Sequence, residues 1–208
     1  MYIARHFNPD EELQIQSLIK KFPFVTLISK DEAGQLSISH VPVVTEFING
    51  KLIAISGHFA RRNPQVEHLM ADSNVTVIFG GPHAYISPNW YKSGRDVPTW
   101  NYCVVHVHGL LQFDSSFSGI CKNLQELTQV FETGDGAWQF ELPSDLLRPE
   151  DLTQAIVAFS VKPEKIEAKF KLSQNRPMAD RLGVIDGLGL RTGEMSLAVK
   201  QYMQDTIK

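Results

Sequence analysis

Short apolar segments separated by turn residues fill the first two thirds of this sequence. Asn49-Gly50 lies between the apolar runs 43–48 and 51–56. This dipeptide between two such runs is a strong signal for a β-hairpin, because both residues of a tight hairpin turn must tolerate a positive φ angle. Six or more short strands with few long helices between them favour an antiparallel barrel or sandwich over a doubly wound parallel sheet.

The same patterns set the expected element bounds. Strands are predicted over residues 24–30, 35–41, 43–48, 51–56, 75–79, 84–86, 102–113 and 156–172, with Gly80-Gly81-Pro82 breaking the fifth from the sixth. A first helix is predicted from an Asn8 cap and Pro9 to about Lys21, with Leu13, Leu18 and Ile19 on its inner face. Further helices are predicted over 64–70, over 117–131, from Pro149, and in two pieces after Arg176 around a Gly-rich turn.

The bulk composition is that of a globular protein. The chain has 208 residues, 43% hydrophobic and 21% charged, which suits one well-buried core. We therefore expect a single domain over residues 1–208 with helical additions, in which residues 176–208 pack on that domain or on a dimer partner.

The net charge, the cysteines and the apolar segments of the chain narrow the class of protein further. The net charge of −3 and the lack of a Lys/Arg run argue against a dedicated DNA-binding surface, and a local basic patch or a groove generated by a dimer is the alternative. Cys103 and Cys121 have no CxxC or metal-ligand spacing, so no disulfide is predicted, which fits a reducing cytoplasm. The first residues lack the apolar segment of a signal peptide, and no run approaches the roughly 20 apolar residues of a membrane helix.

A candidate phosphate site follows the strand that the Asn49-Gly50 hairpin begins. His58, Arg61 and Arg62 precede a helix start at Asn63-Pro64. A helix N-terminus favours an anion, and guanidinium groups are suited to phosphate. The alternative is a solvated turn whose arginines face water.

A second candidate site combines aromatic and short polar residues. Thr99, Trp100, Asn101 and Tyr102 stand together at the start of a strand, and the aromatic segment 85–91 precedes them. Apolar walls with a few convergent polar groups are typical of a small-molecule pocket. Alternatively, the tryptophans are core or interface anchors with their N–H groups satisfied.

Two further clusters are weaker. Ser173-Gln174-Asn175 follows the alternating strand 166–172 and ends in Arg176. His106 and His108 share one strand face, but the sequence nominates no third ligand, so no metal site is predicted.

Taken in order along the chain, these stretches resemble the bacterial PaiB family of FMN-binding proteins. The resemblance rests on Met1-Tyr2-Ile3, His6-Phe7, Gly57-His58-Phe59-Ala60-Arg61-Arg62-Asn63-Pro64, Gly81-Pro82-His83-Ala84-Tyr85-Ile86-Ser87-Pro88-Asn89-Trp90-Tyr91, Val97-Pro98-Thr99-Trp100-Asn101-Tyr102 and Lys171-Leu172-Ser173-Gln174-Asn175-Arg176. It covers nearly the whole chain.

The resemblance implies a mainly β fold with peripheral helices, a split β-barrel of the pyridoxamine-phosphate-oxidase type. It implies a homodimer with FMN at the interface and a role as a negative transcriptional regulator. The implied cofactor-binding residues are His58, Arg61, Arg62, Asn63, Thr99, Trp100, Asn101, Tyr102, Ser173, Gln174 and Asn175. Either Arg61 or Arg62 is the expected phosphate anchor, and no catalytic residue is assigned.

Three functions remain open at this point. The first is a regulator that uses FMN as a structural or sensing ligand and signals to a partner protein or to DNA. The second is an FMN-dependent oxidoreductase acting on a small molecule. The third is a haem-binding split barrel, for which His58, His83, His106 and His108 are the available histidines.

Overall fold

Seven strands and six helices are seen in the computed structural model, which describes residues 1–9, 12–94, 97–140 and 149–207. The strands are β1 (Phe24–Lys30), β2 (Leu36–Pro42), β3 (Val44–Ile48), β4 (Lys51–Ala60), β5 (Asn74–Ile86), β6 (Thr99–Asp114) and β7 (Ile156–Lys171). The helices are α1 (Glu12–Lys21), α2 (Pro64–Ala71), α3 (Phe117–Phe131), α4 (Pro149–Ala155), α5 (Met178–Gly189) and α6 (Glu194–Asp205). Short 3₁₀ turns cover Arg5–Phe7 and Pro88–Trp90.

The chain divides into two compact units. Unit 1 contains residues 1–21, 80–105 and 167–208, and unit 2 contains residues 22–79 and 106–166. Strands β5, β6 and β7 each contribute residues to both units. The expectation of a single domain over residues 1–208 stays a prediction.

Unit 2 carries the hairpins of the sheet. The strand order is β2-β1-β5-β6-β7-β4-β3, and β1 pairs antiparallel with both β2 and β5. In the β3–β4 hairpin, Val44 pairs with Ser56, and Asn49 and Gly50 have φ angles of 51° and 81°. These positive angles are those of the tight hairpin turn predicted from Asn-Gly, so that prediction is confirmed.

The alternation of side chains along the strands of unit 2 determines which of them are buried in its core. On β4, Ile55 and Phe59 are buried, and on β7 Val157, Phe159 and Val161 are buried. Because side chains alternate between the two faces of a strand, Ser56 and His58 point away from this core. The apolar face therefore fixes which polar side chains are presented on the other face.

Three predicted bounds are wrong. Strand β4 continues to Ala60, so His58 lies within a strand and not after one. Strand β5 continues through Gly80-Gly81-Pro82, because Gly81 allows a close approach: a Cβ there would lie 2.8 Å from the Cys103 carbonyl oxygen. Strand β6 begins at Thr99, three residues earlier than predicted.

Helix α1 has a narrower buried stripe than predicted. Leu18 and Ile19 are fully buried, but Leu13 is 68% exposed. The helix ends at Lys21 as predicted, while residues 10 and 11, which follow the predicted Asn8 cap and Pro9, lie outside the described residues. Leu18 and Ile19 therefore form the buried face of α1 in unit 1.

Unit 1 is organised around α5. Asp180 of α5 is 2% exposed, and its Oδ1 accepts hydrogen bonds from the backbone N–H groups of Lys92 (2.7 Å) and Ser93 (2.9 Å). These bonds, with the Ser93 backbone contribution the largest, hold the pKa of the Asp180 carboxyl below its ordinary value. Because the buried Asp180 carboxylate accepts these hydrogen bonds, it fixes the segment that follows the Pro88–Trp90 turn.

Both cysteines fall where the sequence predicts them, Cys103 in β6 and Cys121 in α3, and both are free thiols. Burial raises the pKa of the Cys103 thiol. Among the helices of the described ranges, none has the length and apolar composition that a membrane span requires.

Candidate functional site

The turn between β4 and α2 is built as the sequence predicts. Asn63 is the N-cap of α2: its Oδ1 accepts from the backbone N–H of Gln65 (3.0 Å), and Pro64 occupies the first helical position. Pro at this position has no N–H to leave unsatisfied. The Asn63-Pro64 pair thus ends the turn and starts the helix at a defined residue.

A buried amide network holds α2 against the β1–β2 hairpin. Gln65 is 2% exposed, and its Nε2 donates to Ser29 Oγ (2.9 Å) and to the Ser37 carbonyl (3.0 Å). Its Oε1 accepts from Ser39 Oγ (2.6 Å), which in turn accepts from Asn63 Nδ2 (3.0 Å). A fully satisfied buried network rigidifies its surroundings, so the turn before α2 is held in place from this side.

Arg61 is tied to the junction of α4 and β7. Its backbone N–H donates to the Ala155 carbonyl (2.9 Å), and its Nη2 donates to the Ile156 carbonyl (3.3 Å). Its Nε is buried and has no hydrogen-bond partner among the described residues. Arg62, by contrast, is exposed. Arg61 therefore has a guanidinium donor that the protein leaves unused.

This turn fits a phosphate group. Both the Gln65 and the Val66 backbone N–H groups are already taken by Asn63, through its side chain and its carbonyl. The free helix N–H groups expected from the sequence are thus largely used, and the guanidinium groups are left as the donors for an anion. A buried N–H without a partner beside a helix N-terminus is chemically suited to phosphate oxygens.

His58 makes a contact that the sequence does not predict. Its Nδ1 donates to Oδ1 of Asn123 on α3 (2.9 Å), and Asn123 is only 4% exposed. The signal that could have revealed Asn123 is its position on the buried stripe of α3, with Ile120 and Leu127 at helical spacing. A polar residue on an apolar stripe indicates a specific partner.

In unit 1, the start of β6 meets the end of β7. Asn101 is fully buried, and its Nδ2 donates to Ser173 Oγ (3.0 Å) and to Met203 Sδ (3.4 Å). Lys171 Nζ donates to Thr99 Oγ1 and to the Trp100 carbonyl (2.8 Å). The structure therefore brings the two polar clusters of unit 1 together, through Asn101–Ser173 and Thr99–Lys171.

The segment after β7 is a tight turn whose side chains bond to backbone. Ser173 has a φ angle of 63°, a left-handed conformation that is uncommon for serine. Gln174 accepts from the Leu172 N–H (2.7 Å) and donates to the Phe170 carbonyl (2.6 Å). Asn175 is exposed. The side chains of Ser173 and Gln174 thus form hydrogen bonds within the protein, whereas the side chain of Asn175 is exposed to solvent.

Trp100 lies on an aromatic surface of unit 1. It is 53% exposed, and its ring is 6.2 Å from Tyr85 in an edge-on arrangement and 6.1 Å from His83. The Arg191 guanidinium lies over Tyr85 (5.8 Å) and over Trp90 (4.8 Å). Tyr102, also in β6, is half-buried and has Lys169 Nζ 5.5 Å from its ring. These rings present flat apolar faces beside cations.

Histidines considered as haem ligands are found on strands. Like His58, His108 makes a hydrogen bond through its Nδ1, and its partner is Thr76 Oγ1 (2.9 Å). His83 lies beside Trp100, and His106 lies on β6. Side-chain partners thus occupy one ring nitrogen of both His58 and His108.

The antiparallel sheet with peripheral helices, and the turn with guanidinium donors for phosphate, agree with the class of flavin-binding split-barrel proteins that the sequence resembles. Residues 1–165 match the family described as "Putative FMN-binding domain". The chain belongs to this family, and FMN is the cofactor that the family binds.

Relatives and solved structures agree with this assignment. The chain is 33% identical to protease synthase and sporulation protein PAI 2 of Bacillus subtilis, over 100% of this chain and 99% of the relative. The resemblance to the PaiB family is thereby confirmed.

Two solved structures are similar in fold. The flavocytochrome Anf3 of Azotobacter vinelandii has a TM-score of 0.61 at 10% identity, covering 81% of this chain and 72% of that chain. The FAD and haem binding protein of Mycobacterium smegmatis has a TM-score of 0.60 at 12% identity, covering 84% and 78%. The predicted split-barrel fold, mainly β with peripheral helices, is confirmed.

Proposed function

We propose that this protein is a flavin-dependent regulator of the PaiB type, a homodimer in which FMN is a structural or sensing ligand. The observation that carries the proposal is the β4–α2 turn, where the buried Arg61 Nε has no partner among the described residues. An unpaired buried donor costs about 1–3 kcal/mol, which an anion at the turn would offset. The cytoplasm is the expected compartment.

The phosphate of FMN is assigned to the Arg61–Asn63 turn. Arg61 supplies the donor that has no partner, and Arg62 supplies a second charge at the surface. Asn63 acts by fixing the turn through its bonds to Gln65 and Ser39. His58 lies on the same face of β4 as Ser56, and β4 ends at Ala60, the residue before Arg61.

The predicted cofactor residues of unit 1 separate into two roles in this proposal. Asn101, Ser173 and Gln174 are positioning residues, because their polar atoms are bonded within the protein. Thr99, Tyr102 and Asn175 remain candidates for cofactor contact, and the exposed ring of Trp100 is suited to contact a flavin held by a second copy.

When bound, FMN supplies a ring system that can exchange electrons or hydride. A second candidate function is an FMN-dependent oxidoreductase, and a cavity in unit 2 supports it. Unit 2 contains a cavity of about 660 Å³, lined in part by Asn123, the partner of His58. If the flavin ring lies against this cavity, an enzyme would have the space that its substrate needs, whereas a regulator with a structural flavin needs no such space.

The first experiment is an FMN titration of the apo-protein, followed by flavin absorption and fluorescence. We expect Arg61→Ala to weaken FMN binding by about 10–100-fold, since a hydrogen bond to a charged group contributes roughly 1.5–3 kcal/mol. Riboflavin, which lacks the phosphate, should bind the wild type and the variant equally. Lys162→Ala, which removes an exposed cation on β7, is the matched control.

The outcomes separate the assignments. A larger loss with Arg62→Ala than with Arg61→Ala would move the anchor to Arg62. Equal loss of riboflavin and FMN would mean that Arg61 supports the fold and not the phosphate. A wild type that binds no FMN at saturating concentration would overturn the proposal.

Reduction of the bound flavin separates regulator from enzyme. The holoprotein is mixed anaerobically with NADH or NADPH, and the loss of oxidised-flavin absorbance is followed. A regulator with a structural flavin should show no reduction faster than that of free FMN. Fast reduction that depends on the protein would favour the oxidoreductase.

A further inference from the structure

A cavity in unit 2 offers a binding site that goes beyond the proposed flavin function. It has a volume of about 660 Å³ and lies between α3 and residues of β3, β4 and β7, with the end of β6 at one side. Pockets of roughly 300–1,000 Å³ hold small organic molecules. The cavity is therefore large enough for such a ligand.

Asn123 gives this cavity a directed polar group. It lines the cavity and is 4% exposed, and its Oδ1 is taken by His58 Nδ1 at 2.9 Å. Its Nδ2 is buried and has no partner in the described parts of the chain. A buried N–H donor without an acceptor is unfavourable, and a carbonyl or hydroxyl oxygen of a ligand would satisfy it.

The lining of the cavity is acidic. Three carboxylates line it, Glu46, Asp114 and Glu126, against one cation, Lys122. Lys122 is paired with Glu126 at 3.8 Å, so the charges of Glu46 and Asp114 remain. Hydrogen bonds from the Ser116 side chain and backbone hold the pKa of Asp114 below its ordinary value, so this carboxyl is ionised at neutral pH.

The wall formed by the sheet combines small apolar and polar side chains. Ala54 of β4 and Ala158 of β7 line it beside Ser56 and Ser160, and Val130 of α3 lines the cavity from the helix. Small side chains at Ala54 and Ala158 leave room for a planar group. A ligand that fills the cavity should therefore have an apolar body between its oxygen and its charge.

We propose that this cavity binds a small organic cation, a protonated amine with an apolar body and a carbonyl or hydroxyl oxygen that accepts from Asn123 Nδ2. Glu46 and Asp114 select the positive charge, and Asn123 selects the oxygen. The Arg61–Asn63 turn contributes no residue to the lining of this cavity, so phosphate binding at that turn and cation binding in the cavity are tested separately.

Three matched probes test this assignment. 4-(Aminomethyl)benzamide carries the cation, the ring and the carbonyl, 4-methylbenzamide lacks the cation, and 4-methylbenzylamine lacks the carbonyl. Dissociation constants are measured by calorimetry on the FMN-loaded full chain. We expect the first probe to bind about ten-fold or more tightly than either truncated probe, the effect of one lost polar interaction.

Variants locate the binding. Asn123→Asp keeps an acceptor for His58 but removes the donor and adds a charge that attracts both amines. It should therefore lower the affinity of 4-(aminomethyl)benzamide relative to that of 4-methylbenzylamine about ten-fold. Glu46→Gln should weaken only the two amines, whereas Glu164→Gln, the same charge change on an exposed residue of β7, should change nothing. Ala54→Phe should block all three probes.

Several results would overturn the proposal. They are no binding of 4-(aminomethyl)benzamide at millimolar concentration, equal affinity for all three probes, or unchanged affinity in Glu46→Gln and Ala54→Phe. Release of bound FMN by the probe would assign the cavity to the flavin instead. If Asn123→Asp does not fold, the Glu46 and Ala54 variants decide the question.

Discussion

Two buried asparagines show how the same residue type takes different roles. Asn101 is fully buried and its amide is satisfied by Ser173 and Met203. Asn123 is also buried, but half of its amide has no partner among the described residues. The first amide therefore stabilises the fold of unit 1, and the second is directed at a ligand.

Removing the Ser173 hydroxyl should destabilise the protein. Ser173→Ala leaves part of the buried Asn101 amide without a partner, which costs about 1–3 kcal/mol of unfolding free energy. Ser173→Gly loses the same bond but adopts the φ angle of 63° without strain, so we expect a smaller loss. Urea denaturation measures both, with exposed Ser115→Ala as the control. A larger loss in Ser173→Gly than in Ser173→Ala would contradict this reading.

Asp180 should make stability depend on pH in the acid range. Its pKa is lower in the folded protein than the ordinary 3.8, so it stabilises the fold above that value, and this contribution is lost as the pH falls through the folded-state pKa. Asp180→Asn should therefore melt several degrees below the wild type at pH 7, with the gap narrowing below about pH 4. A gap that stays constant from pH 7 to pH 3 would exclude the ionised carboxylate as its source.

At the scale of elements, α5 depends on two glycines that face Trp90. A methyl group built on Gly187 would overlap the Trp90 indole, and one on Gly183 would overlap the Trp90 carbonyl. Helix propensity alone favours Ala over Gly by about 1 kcal/mol, so packing overrides propensity here. These glycines allow α5 to lie directly against the Pro88–Trp90 turn.

Gly187→Ala should destabilise the protein by about 1–3 kcal/mol, the usual effect of overpacking. The control is Gly189→Ala in the same helix, where the new methyl would meet only the flexible end of Lys200, 2.8 Å away. We expect that control to be neutral or slightly stabilising. Chemical denaturation compares the two, and equal destabilisation would show that helix packing on Trp90 is not the cause.

Local signals predicted those elements whose cause is local. The Asn49-Gly50 hairpin, strand β1 and helix α3 all match, because turn chemistry and periodicity are contained within them. The continuity of β5 through Gly80-Gly81-Pro82 could not be predicted, since it depends on the approach of Cys103 from a distant strand. The exposure of Leu13 likewise depends on where α1 docks.

The candidate site was predicted in part for the same reason. The Asn63 cap and the arginines beside it are adjacent in sequence, so the turn could be recognised. The Asn101–Ser173 and His58–Asn123 contacts join residues 72 and 65 positions apart. Sequence spacing gives no measure of such distances, and the FMN contacts of these residues stay predictions.

At the scale of the whole molecule, charge is unevenly distributed along the chain. Unit 1 contains twelve Lys and Arg residues and nine Asp and Glu residues, whereas unit 2 contains eight and fourteen. Neither unit carries the strong basic excess typical of a dedicated DNA-binding surface. Regulation, as proposed, would then act through a partner protein more readily than through direct DNA contact.

Binding to duplex DNA should accordingly be weak, nonspecific and strongly salt-sensitive. Fluorescence anisotropy with two unrelated duplexes at roughly 50 and 200 mM salt measures this directly. We expect similar affinities for both duplexes and a steep loss at the higher salt concentration. Tight, sequence-specific binding at physiological salt would contradict the prediction and support direct regulation of transcription.

Strands β5, β6 and β7, which belong to both units, restrict how the gene for this protein can recombine with other genes. Unit 1 is encoded by three separate stretches and unit 2 by two, and every internal boundary except that at residues 21–22 falls within a strand. No single gene fragment therefore encodes either unit. Recombination could not transfer one of them to another protein as a cassette, so the two units must be inherited together.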